Sequence, residues 1–450
     1  MLKINRVITT SLNIYVHFIA RIYLVGLVSK IDNNFALSTS HIMVLLGIFG
    51  IPYYFATSVA LNVKHLEHEL SRKHSLINTL ISFSLISILG GGLLSLIAYY
   101  IIEIILIVLQ QPTNIVQSVT LFCQCYTFCI ITNSLFYGLQ QFYIGLNKGY
   151  TVITVNILCN VLMMYLIHLG LYQKQLHINQ SVVLAFAYLS YGFVGCGILL
   201  FLILRCLKCI EYNVVVVLKL EEITKEIHSL LKKGFPFTLQ NAHGMLVVFV
   251  HVITIGIVCP KLLPVYEVMI QCNLIMFIVI NGGVQAIGLD TLHEVYNRQL
   301  NMLSNTLRSY LYVIITILGM CAMYYYFKVC DTVLRYHLND IEVFDCITSY
   351  FVALIIQCVA LIRNSTIMIL TTLKDNFFPA ICATSCSLCI GIPVSIYLAY
   401  NIEYHILGIN IGMLIHYLIA CSVLLVRCYK KWNVQENISR LLGVREKNII

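Results

Sequence analysis

Arg21 stands inside an apolar run, with His17 one helical turn before it and on the same face. A charged side chain at mid-membrane costs at least about 2.5–3.5 kcal/mol on insertion scales, so it usually faces a cavity or a partner. Arg21 is the one charge that reads this way. Two further histidines, His243 and His251, lie in a later apolar run. Histidine titrates near neutral pH, so it can relay a proton or bind substrate; it can also simply tie two helices together. Both readings stay open for each of the three.

Amides add to the set. Gln240 and Asn241 sit near the start of the run that carries the two histidines. Gln271, Asn281 and Gln285 in the next run are spaced for nearly one helical face, with Asn273 nearby. Inside a membrane such groups either glue helices or line a wet cavity. His17, Arg21, Gln240, Asn241, His243, His251, Gln271, Asn281 and Gln285 are the candidate substrate or coupling residues.

No catalytic constellation appears. There is no Walker A sequence, no nucleophile elbow and no HExxH. The single C-x-x-C, Cys206 to Cys209, has no second pair at zinc-ribbon spacing. Most of the 18 cysteines fall in apolar runs, where cysteine behaves as a small hydrophobe. The expectation is therefore no enzyme, no metal and no resident cofactor. An integral-membrane acyltransferase using histidine is the alternative from another class, and it leaves the internal repeat described below unexplained.

The elements that position these residues are apolar helices. Of the 450 residues, 60% are hydrophobic and 10% charged, with a mean hydropathy of +0.88. Soluble domains carry about 25% charged residues. Apolar stretches long enough to cross a bilayer recur at 7–29, 36–62, 76–98, 115–138, 149–171, 182–204, 235–258, 265–289, 309–329, 346–370, 377–400 and 405–427. Lys3 and Arg6 before the first stretch imitate a signal peptide, but no convincing cleavage site follows, so it reads as an uncleaved span.

Charge sets the orientation. With the N-terminus inside, 22 Lys and Arg residues fall in inside segments and 5 in outside loops. That bias places both termini in the cytoplasm. It also accounts for the net charge of +9 as a topology signal rather than a nucleic-acid surface. Residues 205–234 form the longest connection. Its Val214–Leu231 portion alternates apolar and charged residues at helical spacing and reads as an amphipathic helix on the membrane surface.

The halves repeat. Val25-Gly26 recurs as Ile255-Gly256, Ser75–Leu80 as Met302–Leu307, and Leu146–Lys148 as Leu373–Asp375, at offsets of 230, 227 and 227. The fold class expected is an all-α membrane protein of about twelve transmembrane helices in two parallel six-helix lobes. The lobes take residues 1–204 and 235–428, joined by the linker 205–234 and followed by a tail, 429–450. Repeats of this kind mark transporters with a substrate site at the repeat interface.

Several stretches resemble the multidrug and toxic-compound extrusion (MATE) family. They are Gly234-Phe-Pro236-Phe-Thr-Leu-Gln240-Asn241 with Thr254-Ile-Gly256; Gly138-Leu-Gln140 and Gly145-Leu-Asn-Lys148 with Asn156 and Asn160; and Gly391-Ile-Pro393 with Leu407-Gly408-Ile-Asn-Ile-Gly412. The wider superfamily includes flippases of lipid-linked oligosaccharides. The resemblance implies a secondary antiporter that exports small organic compounds by alternating access, with protons or sodium ions as coupling ions. The partners it implies are a small-molecule or lipid-linked substrate and the lipid bilayer, for a monomer in the bacterial inner membrane with no nucleic acid. Arg21 stands where many members have an aspartate, and Gly244, beside His243, where many have a glutamate. A basic cavity would favour anionic or neutral-polar cargo by Coulomb attraction. A flippase for an anionic lipid-linked precursor is the alternative, with Arg21 contacting a phosphate.

Overall fold

The computed structural model describes residues 51–66, 72–108, 113–172, 180–210, 220–259, 262–296, 318–328, 340–373, 375–402 and 404–447, with a few single positions besides. Those up to Met245 form one compact unit and those from Leu246 a second. Among the described residues there is no strand.

The first unit is built from α1 (Ile51–His65), α2 (Arg72–Tyr100), the short α3 (Ile102–Val108), α4 (Thr113–Gly145), α5 (Gly149–Tyr172) and α6 (Gln180–Ile210). Helix α4 lies at its centre and packs on α1, α2 and α6, while α5 packs on α6. The residue distribution is that of a chain in lipid. Asn133, Gln140, Asn156 and Asn160 are buried, whereas Leu89, Leu93, Phe128, Phe193 and Phe201 are exposed. Small residues allow the close approaches. The Phe136 ring fills the space where Gly195 has no side chain, and that of Phe83 does so at Gly138.

The second unit holds α8 (Leu263–Tyr296), α9 (Asp340–Thr372), α10 (Phe377–Cys386), α11 (Ile392–Asn401) and α12 (His405–Lys447). A π-helical turn, Ser387–Gly391, joins α10 to α11. Helix α9 packs on α8 and α12. The boundary of the two units falls inside α7 (Leu220–Val258).

Helix α7 differs from the sequence expectation. The sequence pattern predicts a surface helix over 214–231 and a separate span from 235; the structure has one helix, Leu220–Val258, through the end of the first and all of the second. Pro236 lies inside it, removing the N–H that would bond the carbonyl of Lys232. One side of the charged first turns is exposed, with Lys225 donating to Glu221 at 2.7 Å, and the other side is covered. They pack on α1 and α2, where Glu226 accepts hydrogen bonds from Asn62 (2.6 Å) and Thr79 (2.9 Å). Polar side chains buried on α1 and α2 supply partners that no periodicity in α7 reveals.

Seven described helices are long and apolar enough to cross a membrane. They are Ser75–Tyr100, Val116–Gly145, Gly149–Gly170, Gln180–Leu207, Glu342–Thr371, Phe377–Asn401 and His405–Lys431, each overlapping an expected span. Shorter apolar stretches at Ala242–Val258 and Val268–Val284 fall in two more. This is a multi-pass membrane protein.

The repeat is structural as well as sequential. Helices α4 and α9 are both 33 residues long, with ends 227 positions apart. Each ends on the same backbone bond. The N–H of Lys148 bonds the carbonyl of Tyr143 (3.1 Å), and that of Asp375 bonds the carbonyl of Leu370 (2.9 Å). At the first end Asn147 takes a left-handed conformation, φ 61°, which asparagine tolerates better than most residues, and Leu146–Lys148 closes the helix as a Schellman motif.

Candidate functional site

His17 and Arg21 lie outside the described residues. Gln240 and Asn241 are in α7, within two turns after Pro236, and Gln285 is in α8. His243 is buried, and its Nδ1 lies 3.2 Å from the carbonyl of Leu239 one turn earlier. An oxygen of that kind only accepts, so Nδ1 is the donor in this contact. Gln271 and Asn281 are half-buried on α8, and the side-chain oxygen of Gln271 is buried without a partner. Asn273 serves as helix glue: its oxygen accepts from Gln357 on α9 at 3.5 Å.

His251 is wholly buried, and neither ring nitrogen has a hydrogen-bond partner. It lies within electrostatic reach of His416 on α12, which sequence reasoning did not single out. His416 is 1% exposed. Its Nδ1 lies 3.4 Å from the carbonyl of Gly412, and its ring occupies the space beside Gly391, where a Cβ would come within 2.6 Å of Nδ1. Gly391 closes the π turn, so the irregular turn and the missing side chain together make room for an imidazole.

Arg363 completes this group and corrects the reading of Arg21 as the one charge inside a span. It lies on α9, nine residues before the end at Thr372, or about 14 Å at 1.5 Å per residue. It is 3% exposed. Its Nε donates to Asn364 Oδ1 at 3.2 Å, and its guanidinium carbon lies 4.0 Å from the centroid of the Tyr417 ring. Its Nη1 is buried without an acceptor. The count of 22 inside Lys and Arg residues includes Arg363, although it falls within the expected span 346–370. The repeat held a further signal. At an offset of 227 the matching residue is Phe136, a buried core position.

A second polar network sits in the first unit, on residues of the MATE-like stretches. Gln140 donates to Asn156 Oδ1 (2.8 Å), Asn160 donates to the Asn156 carbonyl (2.8 Å), and the Tyr191 hydroxyl reaches Asn156 Oδ1 at 3.4 Å. All four side chains are buried. These are amides and a phenol, which bind or orient polar groups but carry no charge.

No family model matches the sequence, and no curated protein matches it. Solved structures do. A eukaryotic MATE transporter, AtDTX14, is 14% identical, with 97% of this chain and 96% of that one covered at a TM-score of 0.77. The chain has the MATE transporter fold. That fold has twelve transmembrane helices. A multidrug resistance MATE transporter of the MOP superfamily, seen in an outward-facing conformation, is 13% identical over 97% and 96% of the two chains at 0.75. A MOP superfamily transporter from Pyrococcus furiosus, described as having a binding pocket of reverse polarity, is 12% identical over 96% of each chain at 0.74.

Proposed function

We propose that this protein is a secondary active transporter that exports small organic compounds by alternating access. The observation that carries the reading is the MATE fold along 97% of the chain, with 96% of AtDTX14 covered in return. The apolar helices and the repeated α4 and α9 agree with it. Transport of this kind needs no catalytic constellation. The setting is the bacterial inner membrane, with both termini in the cytoplasm, on the strength of the Lys and Arg distribution.

Arg21, His17 and His243 contact cargo or carry the coupling proton, and Gln240, Asn241, Gln271, Asn281 and Gln285 line the path. The protein acts as a monomer and couples to a proton or sodium gradient. Cargo that is anionic or neutral-polar suits a path bearing Arg21 and the histidines. The Pyrococcus furiosus relative with a reversed pocket polarity lends this weight, since a change of pocket charge on one fold changes what it carries.

The test is efflux in an exporter-deficient strain, followed by proteoliposomes with an imposed proton or sodium gradient. Gradient-driven movement of a solute by the wild type, lost in Arg21→Ala at normal protein level, is the expected result. No movement of any solute under either gradient overturns the exporter reading. Accumulation of a lipid-linked precursor on depletion, with no solute efflux, selects the flippase instead. Wild-type efflux in Arg21→Ala removes Arg21 from the path.

A further inference from the structure

A fixed positive charge inside a membrane-spanning bundle asks for compensation. Arginine stays protonated under all ordinary conditions, so Arg363 cannot escape the cost by losing its proton. An isolated buried ion is expensive unless it is paired and fully hydrogen-bonded. Among the described residues no carboxylate forms an ion pair with Arg363. Its contacts are one amide oxygen and one ring face, and its Nη1 has no acceptor.

Packing does not demand an arginine there. In the first unit the matching residue is Phe136, whose ring meets that of Tyr191 edge to face at a centroid distance of 5.1 Å. Tyr191 follows the start of α6 by eleven positions, as His416 follows the start of α12. At the matching place the second unit has a guanidinium, with His416 where the first unit has Tyr191, and the guanidinium lies over the neighbouring ring of Tyr417. An apolar pair fills this corner of the fold in one half; in the other half it holds a charge.

The surroundings add donors rather than acceptors of charge. His416 lies within electrostatic reach of Arg363, and His251 within reach of His416. Both imidazole nitrogens of His251 are buried and unpartnered. Asn364 has given its oxygen to Arg363. The guanidinium fork suits a planar oxyanion or a halide, and a neutral imidazole with no other partner, as His251 is, can offer one N–H.

We propose that Arg363, with His416 and His251, forms an internal site in the second unit for a small anion, either a free inorganic ion or the anionic group of an organic solute. The guanidinium supplies the charge and Tyr417 holds its plane. His251, whose ring nitrogens have no partner, presents an N–H to the bound anion, and His416, held through Nδ1 on the Gly412 carbonyl, lines the site. The site goes beyond the transporter reading, and because binding is measured without transport, either can fail alone.

The test is the thermal midpoint of the full-length protein in detergent. It is titrated with sodium chloride, sodium phosphate or sodium benzoate, and only the saturating part of the response is counted, since ionic strength alone gives a drift without saturation. The wild type is expected to show a saturating rise of about 3 °C at a hundredfold excess over half-saturation for at least one probe. A response to chloride or phosphate identifies a free ion, and a response to benzoate alone identifies the carboxylate of an organic solute. Arg363→Gln should be flat to all three. Arg363→Lys, which keeps the charge without the fork or the stacking plane, should shift half-saturation at least tenfold. No saturable response of the wild type overturns the site even if neither variant folds. An undiminished response in Arg363→Gln, or an unshifted one in Arg363→Lys, overturns it equally.

Discussion

Asp345 on α9 accepts the backbone N–H of Leu407, in the opening turn of α12, at 3.1 Å. Its other oxygen accepts the N–H of Ile406 at 3.2 Å. The first N–H groups of a helix have no partner within it, and they carry the positive end of its dipole. A buried carboxylate from a neighbouring helix satisfies two of them at once. The first unit joins the matching helices more weakly, by the Ser181 hydroxyl on the carbonyl of Ser118, which lies 227 positions before Asp345. Asp345→Ala should cost about 2–3 kcal/mol, because hydrogen bonds to an ionised group are lost and the N–H groups stay buried. Asp345→Asn should cost less, since its one oxygen can still accept. Thermal midpoints in detergent measure both. An Asp345→Ala protein as stable as the wild type would show that the contact holds nothing.

The charged start of α7 is fixed by Glu226. Its Oε1 accepts from Asn62 and Thr79, and Lys233, about two turns further along α7, donates to Asn62 Oδ1 at 2.7 Å. Glu222 accepts from Asn78 at 3.2 Å. Because Asn62 uses both ends of its amide, the bonds depend on one another. Glu226→Ala and Thr79→Val should each destabilise by about 1–2 kcal/mol, and the double variant by less than the sum. The deciding measurement is a double-mutant cycle on thermal stability. Strict additivity would mean that the two side chains do not share the bond.

The span pattern, the all-helical class and the repeat were legible because they rest on composition and spacing, which the bilayer imposes on every residue facing it. The buried polar contacts were less so. Asp345 and Asp375 stand just outside the expected spans 346–370 and 377–400, and whether such a residue meets water or caps another helix depends on a partner more than fifty positions away. Arg363 shows the other limit. Counting bases by loop works while each base sits in a loop, and a base more than two turns inside a helix, as Arg363 is, is then miscounted as a topology signal. His416 carried no sign at all, since its place beside Gly391 exists only through the π turn. The likeness at Gly138-Leu-Gln140 with Asn156 and Asn160 did mark residues that meet in three dimensions.

At Gly138 a side chain has nowhere to go. A Cβ there would enter the ring of Phe83, which is itself almost wholly buried between helices. A rigid aromatic cannot swing aside as a lysine tip could. Gly138→Ala is therefore expected to destabilise by about 1–3 kcal/mol through overpacking, despite the better helix propensity of alanine. Phe83→Leu in the same chain should restore part of the loss. The check is folded yield and midpoint for the single and double variants. A neutral Gly138→Ala would mean that α2 and α4 can separate freely at this level.

Arg427, on the last helix, ties itself to the junction of α9 and α10 by two different contacts. Its Nε donates to Asp375 Oδ2 at 2.6 Å, and its guanidinium carbon lies 4.1 Å from the centroid of the Phe378 ring. Asp375 also gives the backbone N–H that closes α9, and its side chain is 9% exposed against 38% for Arg427. The pair is thus half screened by solvent from one side only. Removing the arginine leaves a nearly buried carboxylate alone, so Arg427→Ala should cost about 1–2 kcal/mol after allowance for screening. Arg427→Lys retains the charge but loses the planar stack on Phe378, and should fall between the two. Asp375→Asn together with Arg427→Ala should be milder than Arg427→Ala alone, because the uncompensated charge has gone. Midpoints that order the single variant below the double confirm the ion pair as the cause; the reverse order assigns the loss to stacking on Phe378.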